Sequence, residues 1–166
     1  LHGIKDGEQW RLSEARNVLM NIKSWENHLV PALYRPFDVR SLYYHEAIID
    51  RPRRESLRHM QLPNIGMIVG RQGQAVGSGL WNLLYCGRTI ADTNLFYRGG
   101  IAYAPLYIYA DIDSRELDLE NGGSGRRENF KTAFLASFVN TLGLTNSESG
   151  GLPKVLPPED ILFYAY

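Results

Sequence analysis

The chain has 166 residues, of which 44% are hydrophobic and 22% are charged, and its formal net charge at pH 7 is zero. That length fits a single hydrophobic core, and that composition excludes the disordered, collagen-like and coiled-coil classes. No stretch reaches the roughly 18 uninterrupted apolar residues of a membrane helix. The only cysteine, Cys86, excludes an internal disulfide framework. We therefore expect one cytoplasmic domain and, because the chain has no initiator Met, one excised from a larger multidomain protein.

The neutral total conceals an uneven distribution of charge. Residues 34–98 contain nine arginines, no lysine and five carboxylates, for a net charge of +4, whereas residues 99–166 carry a net charge of −4. Arginine is suited to planar, bidentate contacts with phosphate or with the edge of guanine. The basic middle of the chain therefore favours a nucleic-acid partner, although exposed arginines also pair with neighbouring carboxylates.

Hydrophobic periodicity predicts the elements of the first half in chain order. Apolar residues at three- and four-residue spacing predict a helix over Leu12–Leu29, with Ser13 as its N-cap and Pro31 as its end. β-Branched and aromatic residues predict a strand over Val39–Ile49 that is buried on both faces. The elements predicted next are a short helix over Pro52–Met60 and a strand over Asn64–Arg71.

The second half is predicted to contain strands and loops and to end in helices. Strands are predicted over Leu80–Cys86 and Ala104–Ala110, and the glycine-rich residues 72–79 and 121–125 are predicted loops. A helix over Asn129–Leu142 ends at Gly143; it places three aromatic rings on one face, Phe130, Phe134 and Phe138. A last helix starts at residues 157–160, which read PPED. Helices that flank a strand-rich, basic centre predict a single mixed α+β domain.

No arrangement of residues predicts a catalytic or metal site. The four histidines lack the close spacing of metal ligands, and the acidic residues 111–120 lack the glycine and the terminal Glu of a calcium loop. Residues 70–79 match neither a phosphate-binding loop nor a nucleophile elbow. Cys86 beside Arg88 is more typical of a buried small hydrophobe than of a reactive thiol. We expect no catalytic role and no metal for this chain on its own.

One segment of the chain carries a more specific sequence motif than those considered so far. Residues 34–44 read YRPFDVRSLYY, residues 51–55 read RPRRE, and His59-Met60 follow. They resemble the YRPFDxRxxYY…RPR…HM signature of the C-terminal specificity domain of type ISP restriction-modification enzymes, and a similar motif occurs in target-recognition domains of related single-chain enzymes. Further residues that resemble the family pattern are Asn64-Ile-Gly66, Arg71-Gln72, Ala104–Tyr109, Arg127-Glu128-Asn129 and Pro158–Ile161.

The resemblance implies a role for this domain inside a longer bacterial polypeptide. In that family one chain joins a nuclease, a translocating ATPase, an adenine N6-methyltransferase and a recognition domain. The implied cofactors of the whole enzyme are S-adenosylmethionine, ATP and Mg²⁺, with none in this chain, where the methyltransferase, ATPase and nuclease motifs are absent. A further helical segment is expected after Tyr166, so that the domain would be truncated at its C-terminus.

For the chain itself the resemblance implies sequence-specific recognition of double-stranded DNA. The alternative is a protein-interaction module that docks onto the methyltransferase domain of the same polypeptide and does not bind DNA on its own. A third interpretation, a small enzyme with an unrecognised site, would require a concave pocket with a titratable pair of residues.

Residues that contact phosphates and residues that read bases have different roles. Arg53, Arg54 and Arg58 on the predicted short helix are candidates for phosphate contacts, although Arg53 can instead pair with Asp50 or Glu55. Arginine and glutamine contact guanine and adenine through two hydrogen bonds each. The candidate base readers are therefore Arg71, Gln72 and Gln74. A second set consists of Arg88, Asn94 and Arg98.

The most recognisable residues are expected to be scaffold. A motif shared by proteins with different target sites does not itself select the target. Arg35, Asp38 and Arg40 lie close together around a turn, where ion pairs would lock the backbone. Tyr43 and Tyr44 point to opposite faces of a strand, so at most one of them is expected to reach DNA. The full set of expected scaffold residues is Tyr34, Arg35, Pro36, Phe37, Asp38, Arg40, Tyr43 and Tyr44.

Overall fold

Short strands and helices alternate along the chain in a computed structural model, which confirms the predicted mixed α+β class. The structure describes residues 5–7, 10–49, 53–71, 79, 82–96, 100–110, 125–144 and 156–166. The helices are α1 (Leu12–Met20), α2 (Arg54–Leu57), α3 (Thr132–Thr141) and α4 (Pro158–Ala165), with 3₁₀ turns at Trp25–His28 and Arg58–Gln61. The strands are β1 (Leu29–Arg35), β2 (Asp38–Tyr43), β3 (Gly66–Gly70), β4 (Leu84–Gly87), β5 (Ile90–Ala91), β6 (Ile101–Pro105), β7 (Tyr107–Tyr109) and β8 (Arg126–Glu128). Within these residues no helix is long and apolar enough to cross a bilayer.

The described strands form three small sheets. In the first, β1 lies between β2, its antiparallel hairpin partner, and β5, which runs parallel to it. In the second, β3 lies between β4 and β6 and is antiparallel to both. The third is the antiparallel pair β7 and β8.

The core is divided among these sheets. Ala32 and Leu33 are both buried and, because neighbouring residues of a strand face opposite ways, they pack into different clusters. Ala32 packs with Tyr44, Met60 and Ile90, whereas Leu33 packs with Ile68, Leu95 and Ile101. A third cluster, which holds α4 against the β7 region, consists of Ile65, Leu106, Tyr107 and Leu162.

The predicted first helix is wrong in its second half. Helix α1 ends at Met20, and Leu29–Arg35 form strand β1, with Pro31 inside it. Residues 21–24 contain no helix and Trp25–His28 form a 3₁₀ turn, whereas pairing with β2 begins at Leu29. Pairing with β5 begins only at Ala32, after the proline. Ser13 is not the N-cap either. The cap is Arg11, and the Leu12 N–H donates to the Asp6 carboxylate at 2.9 Å.

The predicted strand Val39–Ile49 is also too long and too buried. Strand β2 ends at Tyr43, lies at the edge of its sheet and is mostly exposed. The predicted strand Ala104–Ala110 divides into the end of β6 and all of β7. The Leu106 N–H still donates to the Ile65 carbonyl at 2.8 Å, in register with the β3–β6 pairing, but the Ile65 N–H donates to Oδ1 of Asn64 and does not complete the pair. The remaining predicted strands are present but shorter, as β3 and β4.

Both predicted C-terminal helices are confirmed. The ring of Phe130, which precedes α3, stacks on that of Phe134, and Phe134 stacks on Phe138, at centroid separations of 5.9 and 5.7 Å. The helix stops at Gly143, whose φ of +64° suits a residue without a Cβ. Helix α4 begins at Pro158, with Glu159 and Asp160 in its first turn. Apart from Gly79 and Gly125, the two predicted glycine-rich loops lie outside the described residues.

From the surroundings of His59 we predict that the stability of the folded domain depends on pH. His59 is buried, and its Nδ1 accepts the Tyr109 N–H at 3.1 Å. Burial, with the charges of Arg58 and Arg127, lowers the pKa of His59. In the unfolded chain the pKa is about 6.5, so the unfolded state binds the proton more readily. We therefore expect stability to fall as the pH drops below about 6.5.

The measurement is the thermal unfolding midpoint at pH 7 and at pH 5, for the wild type and for His59→Asn, whose side-chain oxygen can replace Nδ1 as acceptor. The wild type should lose more stability than the variant on acidification. Equal losses would contradict the assignment to His59.

Candidate nucleic-acid interface

The β1–β2 hairpin contains the YRPFD segment, and two of its arginine side chains pack against the ring of Tyr34. The guanidinium carbons of Arg35 and Arg40 lie 4.0 and 4.1 Å from the centroid of the Tyr34 ring. Arg40 also donates from Nε and Nη2 to the Asp38 carboxylate, with Nη2 at 2.8 Å from Oδ2. This hydrogen-bonded guanidinium lowers the pKa of Asp38. Arg40 and Asp38 therefore form a bidentate pair two residues apart on β2.

Arg35 connects the hairpin to the neighbouring strand. Its Nη1 lies 3.6 Å from Oδ1 of Asp92, which directly follows β5. The backbone supports the same connection, because the Asp92 N–H donates to the Leu33 carbonyl at 2.9 Å. The hairpin arginines thus have partners within the domain, and their scaffold role remains a prediction.

The tip of the hairpin, unlike its base, has a highly exposed aromatic side chain. Pro36 and Phe37 form the turn, and Phe37 has a left-handed backbone with φ of +66°. Its side chain is 88% exposed. Its ring makes a T-shaped contact with that of Tyr85 at a centroid separation of 5.4 Å, and the Phe37 N–H donates to the Tyr85 hydroxyl at 3.4 Å.

The two tyrosines that end the segment lie in different surroundings. Tyr44 is buried in the first core cluster, and burial raises its pKa. Tyr43 is half-buried, with its ring 5.5 Å from that of His28 and 6.3 Å from that of His45. Of the two, Tyr43 is therefore the more accessible.

The predicted phosphate contacts lie on one short stretch, which we call the basic run, residues 53–58. Arg53 precedes α2 with φ of +47°, and its Nη1 donates to the Ile101 carbonyl at 3.3 Å. Arg54 pairs with Glu46 at 2.9 Å, and both side chains are more than half exposed. Arg58 begins the following 3₁₀ turn and is exposed. Glu55 is also exposed in α2, and Asp50 lies outside the described residues.

A cavity of about 370 Å³ brings the hairpin and the basic run together. Its polar lining consists of Tyr34, Arg40, Ser41, Tyr44, Arg53, Asp92, Thr93 and Asn94. The remaining walls are apolar and come from β1, β2, α2, β5 and Ile49. Residues predicted as scaffold and residues predicted as DNA contacts thus line the same concave surface.

Arg71 directly follows β3, and its side chain lies beside Gly100, close to Thr93 of the cavity lining. A Cβ added to Gly100 would lie 3.2 Å from Cδ of Arg71 and 3.7 Å from Cγ2 of Thr93. Arg71 is exposed, and its N–H donates to the Gly100 carbonyl at 3.2 Å. The other predicted base readers, Gln72 and Gln74, lie outside the described residues, as does Arg98.

Arg88 and Asn94, predicted as one set, line different cavities. Arg88 is in a second cavity of about 310 Å³, together with Tyr107, Arg126 and Glu159. The Arg126 guanidinium lies 3.9 Å from the centroid of the Tyr107 ring, whose hydroxyl donates to Glu159 at 2.6 Å. Burial and this carboxylate raise the pKa of Tyr107 to about 12. Arg126 is a cation that the sequence patterns did not indicate.

The described residues contain no group of three or more His, Cys, Asp or Glu side chains placed to hold a metal ion. Burial raises the pKa of the Cys86 thiol, which opposes formation of a reactive thiolate.

The family described as the Type ISP C-terminal specificity domain matches residues 2–166. No curated protein sequence matches the chain significantly. The fold is similar to part of a DrdV–DNA complex, with a TM-score of 0.60, 19% identity, and coverage of 85% of this chain and 12% of that one.

A second similar structure is an ATP-dependent Type ISP restriction-modification enzyme, LlaBIII, bound to DNA. Here the TM-score is 0.59 with 23% identity, and the match covers 95% of this chain but 9% of that one. The chain thus spans about a tenth of the length of either structure. Since the family match covers nearly every residue, the chain belongs to the Type ISP C-terminal specificity domain family.

Proposed function

We propose that this chain is the DNA target-recognition module of a restriction-modification enzyme. The observation that carries the proposal is the family match over residues 2–166. Two similar structures are larger proteins in complex with DNA. The module binds double-stranded DNA and positions the methyltransferase of its own polypeptide at the target site.

The basic run supplies the phosphate contacts of this proposal. Arg54 and Arg58 are exposed one turn apart, and Arg53 lines the neighbouring cavity. The ion pair between Arg54 and Glu46 lies in water, where such a pair contributes little, so a phosphate can replace the carboxylate at small cost. Arg71 and Asn94 are the described candidates for base contacts, with Gln72 and Gln74 next in the chain.

The chemistry of the whole polypeptide belongs to domains outside this chain. The chain corresponds to 9–12% of the similar DNA-bound proteins, one of which is described as ATP-dependent. We assign S-adenosylmethionine, ATP and Mg²⁺ to adenine methyltransferase, translocase and nuclease domains of the longer protein, which acts on DNA in the cytoplasm. The chain itself contributes recognition and no catalytic residue.

The test is fluorescence anisotropy of this chain titrated into a pool of random-sequence duplexes at low and at physiological salt. Saturable binding that weakens steeply with salt supports the proposal, because phosphate contacts release counterions. Selection from the same pool then yields the preferred duplex. Absence of binding at low salt overturns DNA recognition by this chain.

Arg54→Ala should reduce the salt dependence of that binding. Each phosphate contact contributes about one unit to the slope of log K against log salt. We expect the slope to become shallower by about one unit in Arg54→Ala and in Arg58→Ala. Arg16→Ala is the matched control, because Arg16 is exposed on α1, outside the basic run. An equal loss of slope in the Arg16 variant would contradict a localised phosphate site.

A second candidate function is docking onto the methyltransferase domain. Three side chains of the C-terminal helices favour it, since Phe134, Leu142 and Phe163 are each about half exposed. A docking module predicts co-elution of this chain with a separately produced methyltransferase domain, and loss of co-elution when these three side chains are replaced by serine.

A further inference from the structure

We propose that the tip of the β1–β2 hairpin is a wedge whose Phe37 ring stacks on the bases of an opened step in the bound duplex. The inference rests on the proposed DNA-recognition function and adds a contact that the motif alone did not indicate, since the sequence predicted Phe37 as scaffold.

The backbone at Phe37 is the first reason. Its φ of +66° lies in the left-handed region, where a residue with a Cβ is disfavoured and glycine is not. In a two-residue turn that begins with proline, the second position is the usual place of glycine. The requirements of the turn alone therefore favour glycine at position 37, and an aromatic side chain there needs another explanation.

Packing within the domain does not provide that explanation. The Phe37 side chain is 88% exposed, the largest exposed fraction among the large hydrophobic side chains that the structure describes. Its T-shaped contact with Tyr85 leaves most of the Phe37 ring in water. A largely exposed ring on a hairpin turn is suited to stacking on another π-system.

The base of the hairpin is rigid. The Tyr34 ring lies between the guanidiniums of Arg35 and Arg40, and the latter is fixed by two nitrogen donors to Asp38. The Asp92 N–H donates to the Leu33 carbonyl at 2.9 Å and Arg35 lies 3.6 Å from the Asp92 carboxylate, so backbone and side chain both connect the hairpin to the end of β5. A wedge must keep its shape while it separates base pairs, and a preorganised hairpin loses little entropy on binding.

The surroundings favour a duplex over a protein surface as the partner. The cavity next to the hairpin contains Arg53 and Asn94, and the basic run follows. Phenylalanine and proline are both among the side chains that proteins insert between base steps. Arg35 and Arg40 pack against the Tyr34 ring in addition to their carboxylate partners, so we assign stacking to the tip and phosphate contacts to the basic run.

The experiment compares wild type, Phe37→Gly and Phe37→Trp on the preferred duplex selected from the random pool, with 2-aminopurine placed at successive steps. Tyr164→Ala is the control, because Tyr164 is 87% exposed on α4. The glycine variant should unfold at a temperature no lower than wild type, because it relieves the left-handed strain.

That variant should nevertheless bind about tenfold more weakly, as expected for loss of one aromatic stack. The wild type and Phe37→Trp should both raise 2-aminopurine fluorescence at one step, and Phe37→Gly should not. Wild-type affinity and fluorescence in Phe37→Gly overturn the wedge and leave DNA recognition intact. A lower unfolding temperature in that variant overturns it in favour of a structural role. Failure of the wild type to bind overturns the proposed function and the wedge together.

Discussion

Replacing Asn64 by alanine is expected to lower the free energy of unfolding by about 3–5 kcal/mol, because it leaves several buried backbone groups without partners. The Asn64 side chain is buried and makes four hydrogen bonds. Its Nδ2 donates to the carbonyls of His59 and Tyr107 at 3.0 and 2.8 Å. Its Oδ1 accepts the N–H groups of Ile65 and Tyr107 at 2.9 and 3.1 Å. The amide thus joins three chain segments inside the third core cluster.

Urea denaturation of the wild type and the variant measures the effect. Asn82→Ala is the matched control, since Asn82 is exposed and its replacement should change stability by less than about 0.5 kcal/mol. Asn64→Asp separates hydrogen bonding from packing, because it keeps the shape and the acceptors but loses both donors. It should be as destabilising as alanine. Wild-type stability in either Asn64 variant would show that these four bonds do not hold the fold together.

Asn64 also illustrates what a sequence can and cannot predict. The Asn-x-Gly pattern is visible as part of the family resemblance, but two of the four hydrogen bonds reach Tyr107, 43 residues later. A long-range contact of this kind leaves no local periodicity. By contrast, α3 and α4 can be predicted, because the residues that start them, end them and form their apolar faces all lie within about ten residues of one another.

The errors near the N-terminus have the same origin. The helical spacing of the apolar residues extends to Leu29, and Pro31 normally argues against a strand over Leu29–Arg35. Pairing with β2 and β5 decides the conformation instead, and those partners come later in the chain. Propensity is a weak prior that tertiary context overrides.

The residue types of the candidate interface could be predicted from the sequence, but their arrangement in space could not. The excess of arginine in residues 34–98 indicates a basic surface, and Arg53, Arg54 and Arg58 do lie on one stretch. The common cavity of the hairpin and the basic run requires the parallel pairing of β5 with β1, which no local pattern encodes. The left-handed backbone of Phe37 could not be predicted either, because phenylalanine rarely adopts a positive φ.

Gly66→Ala is the second substitution with a large expected effect, a loss of about 3 kcal/mol or more of unfolding free energy from overpacking in a well-filled core. Gly66 begins β3 opposite Pro105. An added Cβ would lie 2.6 Å from Cε2 of Tyr103, 2.8 Å from the carbonyl oxygen of Ala104 and 3.1 Å from Cα of Pro105. Two of these three atoms belong to the backbone of the paired strand, so a change of rotamer cannot remove the clash.

Two further variants make the Gly66 result interpretable in the same denaturation experiment. Gly79→Ala is the control, because a Cβ there meets nothing within 4 Å, and its stability should match that of the wild type. Adding Tyr103→Leu to Gly66→Ala removes the nearest aromatic atom but leaves the Ala104 carbonyl in place. The double variant should therefore remain less stable than Tyr103→Leu alone. Equal stability of those two proteins would mean that the Tyr103 ring, and not the close approach of β3 and β6, requires glycine at this position.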